Sequence, residues 1–344
     1  MSAEIGPVRP HEVQDWPKLE SYLRDQLPKL EGSFSVQQFY GGHANLTYLL
    51  CFGDQEMVLR RPPFGKLAPG THSMSREYRV LSALAPHYDR APKAYHYCDD
   101  DSVIGAPFIL MERCEGVIIR RSMAPAFAEM EEVEQSVSKA MIEAMAALHS
   151  LDVDQAGLTH LGKPEGYLDR QLAGCAKRWS LAETEPTPGM PAVLERLAKQ
   201  IPTPQKVSVV HHDIKLDNCQ FQPDNPHRVT TILDWDMTTL GDPLLDFGAS
   251  LSFWPDPLLK GYNKVPVLPQ GDFPSKDQLK AWYAEFTGLD LSGFAWYEAL
   301  SYCKTAVIAQ QLYKRYADGA TKDQRMAVFG GLAQAMVQLA NAKY

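Results

Sequence analysis

The chain reads His211-His212-Asp213-Ile214-Lys215-Leu216-Asp217-Asn218 at its densest cluster of polar side chains. The apolar run 207–210 leads directly into this cluster, and residues 219–221 lead out of it. A loop between two strands that holds this many ionisable groups is more typical of a reactive site than of a solvated surface. The segment therefore predicts a place where chemistry occurs.

A second carboxylate-bearing strand end follows closely. The apolar run 229–233 ends in Asp234-Trp235-Asp236, sixteen residues after Asn218. Phosphoryl transfer uses a base that positions a hydroxyl group, and a carboxylate and an amide that hold Mg²⁺ against the phosphates. Asp213 fits the role of the base. Asn218 and Asp234 fit the metal ligands, because oxygen donors suit Mg²⁺ rather than zinc.

The two motifs resemble those of the aminoglycoside phosphotransferase and choline kinase-like small-molecule kinases, and most closely the branch that occurs beside acyl-CoA dehydrogenases. The likeness rests on H-x-D-x-x-x-x-N, I-L-D-W-D and G-D-P-x-x-D, and spans roughly residues 30–340. It implies an α+β, bilobal protein-kinase-like fold and an ATP- and Mg²⁺-dependent kinase with a hydroxyl acceptor. His212 stands where the family usually has Gly, a change that would narrow the acceptor pocket.

The resemblance also implies supporting roles around the loop. His211 usually braces it in this family, and Asp242 and Asp246 would brace it from the start of a helix. Lys215 has the spacing at which protein kinases place a lysine near the transferred phosphoryl group, although an exposed loop lysine has the same pattern. Asp236 either assists a second metal ion or forms a salt bridge.

Simpler interpretations of the three central residues stay open at this point. Asp213 and Asn218 can form an Asx-type turn between two strands, and Asp234 can cap a turn. The crowding of polar groups into one eight-residue loop favours the catalytic interpretation.

Periodicity predicts a small antiparallel-sheet lobe followed by a larger, mainly helical lobe. An amphipathic helix capped by Asp15 leads the chain. Strands are expected at 34–40, 46–52, 56–61, 94–97 and 108–112, with a helix at 71–85. Later helices are expected at 133–148, 167–179, 191–201, 275–288, 294–316 and 323–342, with strands at 207–210 and 229–233. We expect a nucleotide-binding lobe at 1–113 and a catalytic and acceptor-binding lobe at 114–344.

The resemblance assigns nucleotide contacts to three parts of the first lobe. Kinases of this family cover the phosphates with the first hairpin, which here carries Gly41, Gly42 and Asn45. A Gly-Gly pair at a hairpin is weak evidence by itself, because most such pairs are simply turns. The hinge between the lobes corresponds to Met111, Glu112 and Cys114, where backbone groups would bond the adenine.

The third strand departs from the family pattern, because residues 56–61 contain no lysine. Strand alternation places Val58 and Arg60 on one face and Arg61 on the other. By resemblance Val58 would cap the adenine and Arg60 would reach the phosphates, with Glu77 as its ion-pair partner. A planar guanidinium and an ammonium bind phosphate differently, so this change bears on activity.

Composition limits the partners and the compartment. The 344 residues carry a net charge of −8, which opposes binding to nucleic acid or to an anionic membrane. The six cysteines lie far apart, without metal-ligand spacing, and are typical of reduced thiols. No apolar run approaches 18 residues and the amino end lacks the apolar stretch of a signal peptide. We expect a cytoplasmic enzyme with two structural units.

Two alternatives to a small-molecule kinase stay open. Arg60 and His212 motivate a pseudokinase that binds nucleotide without turnover. A protein kinase shares H-x-D-x-K-x-x-N, but Asp-Trp-Asp replaces Asp-Phe-Gly and no Ala-Pro-Glu follows. Resemblance to the acyl-CoA dehydrogenase branch favours a hydroxyacyl thioester or related metabolite as acceptor, and an aminoglycoside-like acceptor stays open. The oligomeric state has no signal in the sequence.

Overall fold

The computed structural model describes residues 5–41, 45–65, 73–259 and 269–344. Contacts divide the chain into two compact units. The first comprises the chain up to Glu115 together with Leu233–Met237, and the second comprises Gly116–Ile232 and Thr238–Tyr344. The short segment that carries Asp234 and Asp236 therefore belongs to the sheet-rich unit, although the residues on both sides of it in sequence belong to the other unit.

The first unit is built on a six-stranded antiparallel sheet in the order β1-β2-β3-β4-β6-β5. Its strands are β1 Ile5–Gly6, β2 Phe34–Phe39, β3 Leu46–Phe52, β4 Gln55–Arg61, β5 Ala94–Cys98 and β6 Phe108–Glu112, and its helices are α1 Trp16–Gln26, α2 Met74–Leu84 and α3 Asp101–Ile104. The predicted leading helix is confirmed. Asp15 caps it by accepting a hydrogen bond of 3.1 Å from the backbone of Lys18.

One face of this sheet forms the core of the first unit. Leu19 and Leu23 of α1 are fully buried in the same cluster as Tyr48, Leu50 and Leu59. Tyr48 and Leu59 are register partners on β3 and β4, so their side chains point to the same face. The opposite face of β4 is thereby left for Val58 and Arg60.

The second unit is mainly helical. Its helices are α4 Val133–His149, α5 Tyr167–Ala182, α6 Gly189–Lys199, α7 Pro243–Leu251, α8 Lys276–Thr287, α9 Phe294–Ala317 and α10 Phe329–Lys343, and its strands are β7 Val117–Ile118, β8 Ser208–Val210, β9 Cys219–Gln222, β10 Asn225–Ile232 and β11 Thr239–Gly241. The strands form a three-stranded sheet, β10-β9-β7, and a two-stranded sheet, β11-β8. The long helix α9 packs against α5, α7 and α10.

The strands of the second unit position the polar loop. β8 leads into it and pairs with β11, while β9 leads out of it and pairs with β10. A short 3-10 turn, Leu216–Asn218, closes the loop before β9 begins. In the described parts of the chain, no helix has the length and apolar character that would let it span a membrane.

Candidate active site

The predicted alternation along β4 is confirmed by the pairing of the strands. Val58 lies opposite Met111 of β6, and Arg60 lies opposite Ile109. Arg61 points to the other face, where it is buried and donates hydrogen bonds of 2.5 Å to Oε1 of Gln14 and 2.8 Å to the backbone oxygen of Ile104. Arg61 is therefore a structural residue, and Arg60 is the arginine on the face proposed for the nucleotide.

Arg60 joins two carboxylates within the first unit. One terminal nitrogen lies 2.5 Å from Oε1 of Glu77 on α2, and the other lies 2.5 Å from Oδ1 of Asp234. The ion pair between Arg60 and Glu77 that the sequence predicts is thus present. The contact with Asp234 adds the residue proposed as a metal ligand to the same group. Asp234 adopts a positive φ of 73°, a conformation that few residues with a side chain adopt.

Glu77 is the most buried member of this group, and burial disfavours its charged form. Glu77 is 1% exposed, and its Oε2 is buried without a hydrogen bond. Burial raises the pKa of Glu77 to about 7, although Arg60 works in the opposite direction. Burial also lowers the pKa of Arg60, but Glu77 and Asp234 raise it by more. Arg60 therefore stays cationic, and its charge favours the ionised form of Glu77.

The three residues predicted at the hinge, Met111, Glu112 and Cys114, lie at the end of β6 or just beyond it. Met111 is 7% exposed, beside Val58 on the same sheet face. The backbone N–H of Glu112 donates 2.8 Å to the oxygen of Lys93, so Glu112 can offer only its carbonyl to a ligand. Cys114 is partly buried just beyond β6.

The structure describes only part of the first hairpin, which is predicted to cover the phosphates. Gly41 follows β2 and Asn45 precedes β3, while Gly42 lies outside the described residues. The role of these residues in covering phosphates stays a prediction.

The carboxylate of Asp213 is held inside the loop by two neighbours. Nζ of Lys215 lies 2.7 and 2.8 Å from its two oxygens. Nδ2 of Asn218 donates 2.7 Å to Oδ2 and 2.9 Å to the backbone oxygen of Asp213. Because these bonds use only the amide nitrogen, Oδ1 of Asn218 is left for another ligand. Lys215 also lies over the ring of Phe253, 5.5 Å from its centroid.

The backbone of the loop is fixed by Asp246 of α7. Its two oxygens accept hydrogen bonds of 2.6 and 2.7 Å from the backbone N–H groups of His211 and His212. Nδ1 of His211 in turn accepts one of 3.2 Å from the backbone of Asp213. The bracing roles predicted for His211 and Asp246 are present. Asp242 instead caps α7 and accepts 2.7 Å from the hydroxyl of Tyr297.

His212 adopts φ = 73°, a backbone conformation that Gly adopts without steric cost but that other residues rarely adopt. The imidazole of His212 has a hydrogen-bond partner. Its Nε2 shares a hydrogen bond of 3.0 Å with the hydroxyl of Tyr167, and the two rings stack 6.0 Å apart. The side chain thus offsets part of the strain of the positive φ.

Two residues that sequence reasoning missed complete the brace. Nε2 of His149, the last residue of α4, donates a hydrogen bond of 3.1 Å to Oδ2 of Asp246, and its Nδ1 shares one of 2.7 Å with the hydroxyl of Tyr283. Both rings are buried. Burial raises the pKa of Asp246, but the hydrogen bond and charge of His149 and the other nearby imidazoles lower it by more, so this pKa lies below its usual range.

Replacing Asp246 by Asn is expected to destabilise the protein by about 1–3 kcal/mol, because an NH₂ group would face a backbone N–H that needs an acceptor. Asp242→Asn is the matched control on the same helix. Asn caps helices as well as Asp does, and the Tyr297 hydroxyl can reverse its role from donor to acceptor.

Urea unfolding of the two variants measures this difference. Because the pKa of Asp246 is lowered by folding, its stabilisation is present at neutral pH and is lost as the pH falls below about 4. Asp246→Asn should lose this pH dependence. Equal stability of both variants and the wild type would show that Asp246 does not brace the loop.

The amide oxygen of Asn218, in the second unit, and the carboxylate of Asp234, in the first unit, are each donors of the kind that Mg²⁺ prefers. Across residues 5–41, 45–65, 73–259 and 269–344, no cluster of three or more His, Cys, Asp or Glu side chains could hold a metal ion. Two protein ligands are compatible with Mg²⁺, because this ion keeps waters and substrate phosphates in its coordination shell.

Comparison with known proteins supports one family. The chain matches the phosphotransferase enzyme family, APH, over residues 35–265. It is 32% identical over 340 residues to acyl-CoA dehydrogenase family member 10 of Mus musculus, covering 97% of this chain and 31% of that protein. It is 32% identical over 351 residues to family member 11 of Homo sapiens, covering 98% and 44%. The chain thus spans less than half the length of these relatives.

Solved structures agree with this assignment. A crystal structure from Ralstonia eutropha JMP134, provisionally named an aminoglycoside phosphotransferase, has a TM-score of 0.79 and 31% identity, covering 96% of this chain and 98% of that one. Aminoglycoside phosphotransferase APH(4)-Ia, in a ternary complex with AMP-PNP and hygromycin B, has a TM-score of 0.60 and 18% identity, covering 93% and 98%. The second similarity concerns the fold alone. The chain belongs to the phosphotransferase enzyme family and has its kinase-like α+β fold.

Proposed function

We propose that this chain transfers the γ-phosphoryl group of ATP to a hydroxyl group of a small molecule, with Mg²⁺. The observation that carries the proposal is the Asp213 carboxylate, oriented by Lys215 and Asn218 in a loop whose backbone Asp246 braces. A turn-forming aspartate would not need a lysine, an amide and a second buried carboxylate to hold it. A group held in this way is suited to accept a proton from a hydroxyl.

The work of the second unit in this reaction is to orient the acceptor. Asp213 accepts a hydrogen bond from the acceptor hydroxyl and takes its proton as the oxygen attacks phosphorus. Lys215, bonded to both oxygens of Asp213, fixes the carboxylate and brings a positive charge to the place where the phosphoryl group passes. The braced backbone keeps this geometry, because phosphoryl transfer depends mostly on positioning and charge stabilisation.

The work of the first unit is to hold the nucleotide. Val58 and Met111 provide an apolar surface for the adenine, and Arg60 provides a guanidinium for the α- and β-phosphates. Asp234 of this unit and Asn218 of the second unit are the residues that would hold Mg²⁺, which would neutralise charge on the phosphates. Glu77 keeps Arg60 on the correct face of the sheet.

Arg60 is the residue whose replacement tests the nucleotide site. Arg60→Ala should weaken ATP binding by about 10- to 100-fold, the loss of one charged hydrogen-bonding group. Adenosine binding should change little, because adenosine has no phosphates. Arg60→Lys keeps the charge that Glu77 needs but loses the planar fork, so it separates phosphate geometry from folding.

Calorimetric titration of both variants with ATP and with adenosine measures these affinities. If Arg60→Lys raises turnover, the natural arginine is a compromise between affinity and rate. Equal ATP affinity in the wild type and both variants would show that Arg60 does not reach the phosphates.

The acceptor class is proposed from the relatives. Two of them are named acyl-CoA dehydrogenase family members and are matched over nearly the whole of this chain. A kinase fused to enzymes with this name would act on a related metabolite, and we propose a hydroxyacyl thioester. Hydroxyacyl thioesters, hydroxy acids and an aminoglycoside should therefore be compared by the ADP that each releases, with ATP and with GTP as donor.

This comparison also separates the alternatives. A pseudokinase would bind nucleotide and release no ADP with any acceptor. A protein kinase would transfer phosphate to polypeptide and not to the metabolites. ADP release with an aminoglycoside alone would contradict the proposed acceptor class and leave the phosphotransferase activity intact.

A further inference from the structure

A row of side chains connects the catalytic loop with the surface between α5 and α9. His212, next to Asp213, shares its hydrogen bond with Tyr167, the first residue of α5. Gln171 lies one turn further along the same face of α5. Its Oε1 accepts 2.9 Å from Nζ of Lys304 on α9. The neighbour of the proposed base and Lys304 thus each form a hydrogen bond with the first two turns of α5.

Lys304 lacks the carboxylate partner that three other partly buried lysines have. The partly buried Lys276, Lys280 and Lys343 each lie 3.4 Å from a carboxylate oxygen. Lys304 is also partly buried, but its hydrogen-bond partner is the neutral amide of Gln171. Within the described ranges no carboxylate lies within ion-pair distance of it. A partly buried ammonium with no carboxylate in direct contact is costly in the free protein and attracts an anion.

The charges that surround Lys304 come from three elements. Burial lowers the pKa of Lys304 to about 8, with Asp246 of α7 working in the opposite direction and Arg178 of α5 lowering it further. Cys175 of α5 has a smaller, raising effect. Lys304 in turn contributes, after burial, to lowering the pKa of His212 to about 3. The imidazole beside Asp213 is therefore neutral at neutral pH.

Arg178 adds a second positive charge to the row. It lies two turns beyond Gln171 on α5, and its guanidinium folds back over Gly174, where a Cβ atom would meet NH1 at 3.2 Å. Arg178 is exposed and forms no ion pair among the residues that the structure describes. The absence of a side chain at Gly174 leaves space for the guanidinium on this side of α5.

The row continues into an apolar surface. The carbonyl of Ala182 on α5 accepts 3.2 Å from Nε2 of Gln310 on α9, so the two helices stay side by side beyond Lys304. Leu181 and Ile308 are 67% and 54% exposed, on the same helices. We name Tyr167, Gln171, Gly174, Arg178, Leu181, Lys304 and Ile308 the α5/α9 row. It contains two cations, two exposed apolar side chains and no carboxylate.

We propose that Lys304 and Arg178 form an anion subsite that binds a carboxylate or phosphate group of the acceptor, while the acceptor hydroxyl lies at Asp213. This inference rests on the proposed function for the position of the hydroxyl. A polycationic acceptor is disfavoured, because both charged residues of the row would repel it. The apolar end of the row suits a hydrocarbon segment of the same molecule.

The first test measures anion binding without catalysis. Lysines are labelled with ¹³C-methyl groups, which keep the charge, and the resonance that disappears in Lys304→Gln is assigned to Lys304. Inorganic phosphate and acetate, titrated separately, should shift this resonance and raise the pKa of Lys304, and the probe with the larger effect identifies the preferred anion. Lys177, exposed on α5, is the matched control. A Lys304 response no larger than that of Lys177 would overturn the subsite.

The second test uses matched acceptors. A hydroxyacyl-CoA is compared with the same acyl group on uncharged pantetheine, and hydroxycarboxylates of graded length are compared with the corresponding diols. Lys304→Gln should raise KM for the better charged acceptor by about 10- to 100-fold, with little change in kcat. KM for the uncharged counterpart should stay unchanged, as should all constants of Lys177→Gln. A thermal unfolding curve close to that of the wild type shows that the variant folds.

The two proposals fail in different ways. If phosphate or acetate acts on Lys304 but no acceptor releases ADP, the subsite stands and the proposed phosphotransferase activity does not. If acceptors are phosphorylated and Lys304→Gln changes no KM, the activity stands and the subsite is wrong. Equal KM values for charged and uncharged acceptors in the wild type would also overturn the subsite.

Discussion

Asp213→Asn should lower turnover by about 10²–10⁴-fold, the usual contribution of a positioned general base. Asn preserves the size of the side chain and one of its two hydrogen bonds with Lys215, but it removes the charge and most of the basicity. The affinity for Mg-ATP should stay close to that of the wild type, because Arg60 and the proposed metal ligands are unchanged. Steady-state ADP release and calorimetric titration measure the two effects separately.

Asp224→Asn is the matched control for this variant. Asp224 is an exposed carboxylate at the turn between β9 and β10, where it accepts 2.8 Å from Gln222. Its replacement should leave both turnover and nucleotide affinity unaltered. Turnover retained by Asp213→Asn would exclude Asp213 as the base and make His212 the next residue to replace.

Asp234→Ala should abolish the dependence of ATP affinity on divalent metal. In the wild type, excess chelator should weaken ATP binding by at least about 10-fold, since no divalent ion would offset the repulsion between the carboxylate and the triphosphate oxygens. In Asp234→Ala the affinities with Mg²⁺ and with chelator should be equal. Titration of ATP by calorimetry under both conditions gives this ratio directly.

Asp236→Ala provides the comparison on the same segment. A reduced but persistent metal dependence would indicate that Asp236 assists a second ion, and an unchanged dependence would indicate a salt bridge. Equal ATP affinity of the wild type with Mg²⁺ and with chelator would contradict the metal site itself.

Much of the fold could be predicted because local chemistry determines it. The strands 46–52 and 108–112 lie where alternation and the adjoining turns put them. The leading helix begins at Trp16, directly after its predicted N-cap residue Asp15. Among the helices, the predicted bounds of the last one are the least accurate. It is expected at 323–342, but it begins as a 3-10 turn and becomes α-helical at Phe329. Helix ends depend on packing that periodicity does not reveal.

Other features depend on contacts between distant residues and leave no local signal. His149 is the last residue of an apolar helix, and only its pairing with Asp246, 97 residues away, gives it a role. Lys304 is likewise one lysine in a long helix until Gln171 is seen to be its partner. The packing of residues 233–237 with the first unit cannot be inferred from their position in the sequence.

The positive φ values of His212 and Asp234 likewise leave no local signal in the sequence. The family pattern suggested that His212 replaces Gly, but it pointed to a narrower pocket and not to backbone strain. The structure shows that the side chain is accommodated through Tyr167. Unfavourable backbone conformations are expected at an active site, because function rather than conformational propensity selects the residues there.

The transfer of phosphate to a small molecule is tested most directly by ³¹P NMR. The protein is incubated with Mg-ATP and hydroxyacyl-CoA, and in parallel with hydroxy acids and hygromycin B, and each mixture is followed over time. The account predicts a new phosphate monoester resonance on a hydroxylated metabolite, in step with ADP, and its loss in Asp213→Asn. Unchanged ATP in every mixture despite Mg-ATP binding, or phosphate found only on polypeptide, would contradict it.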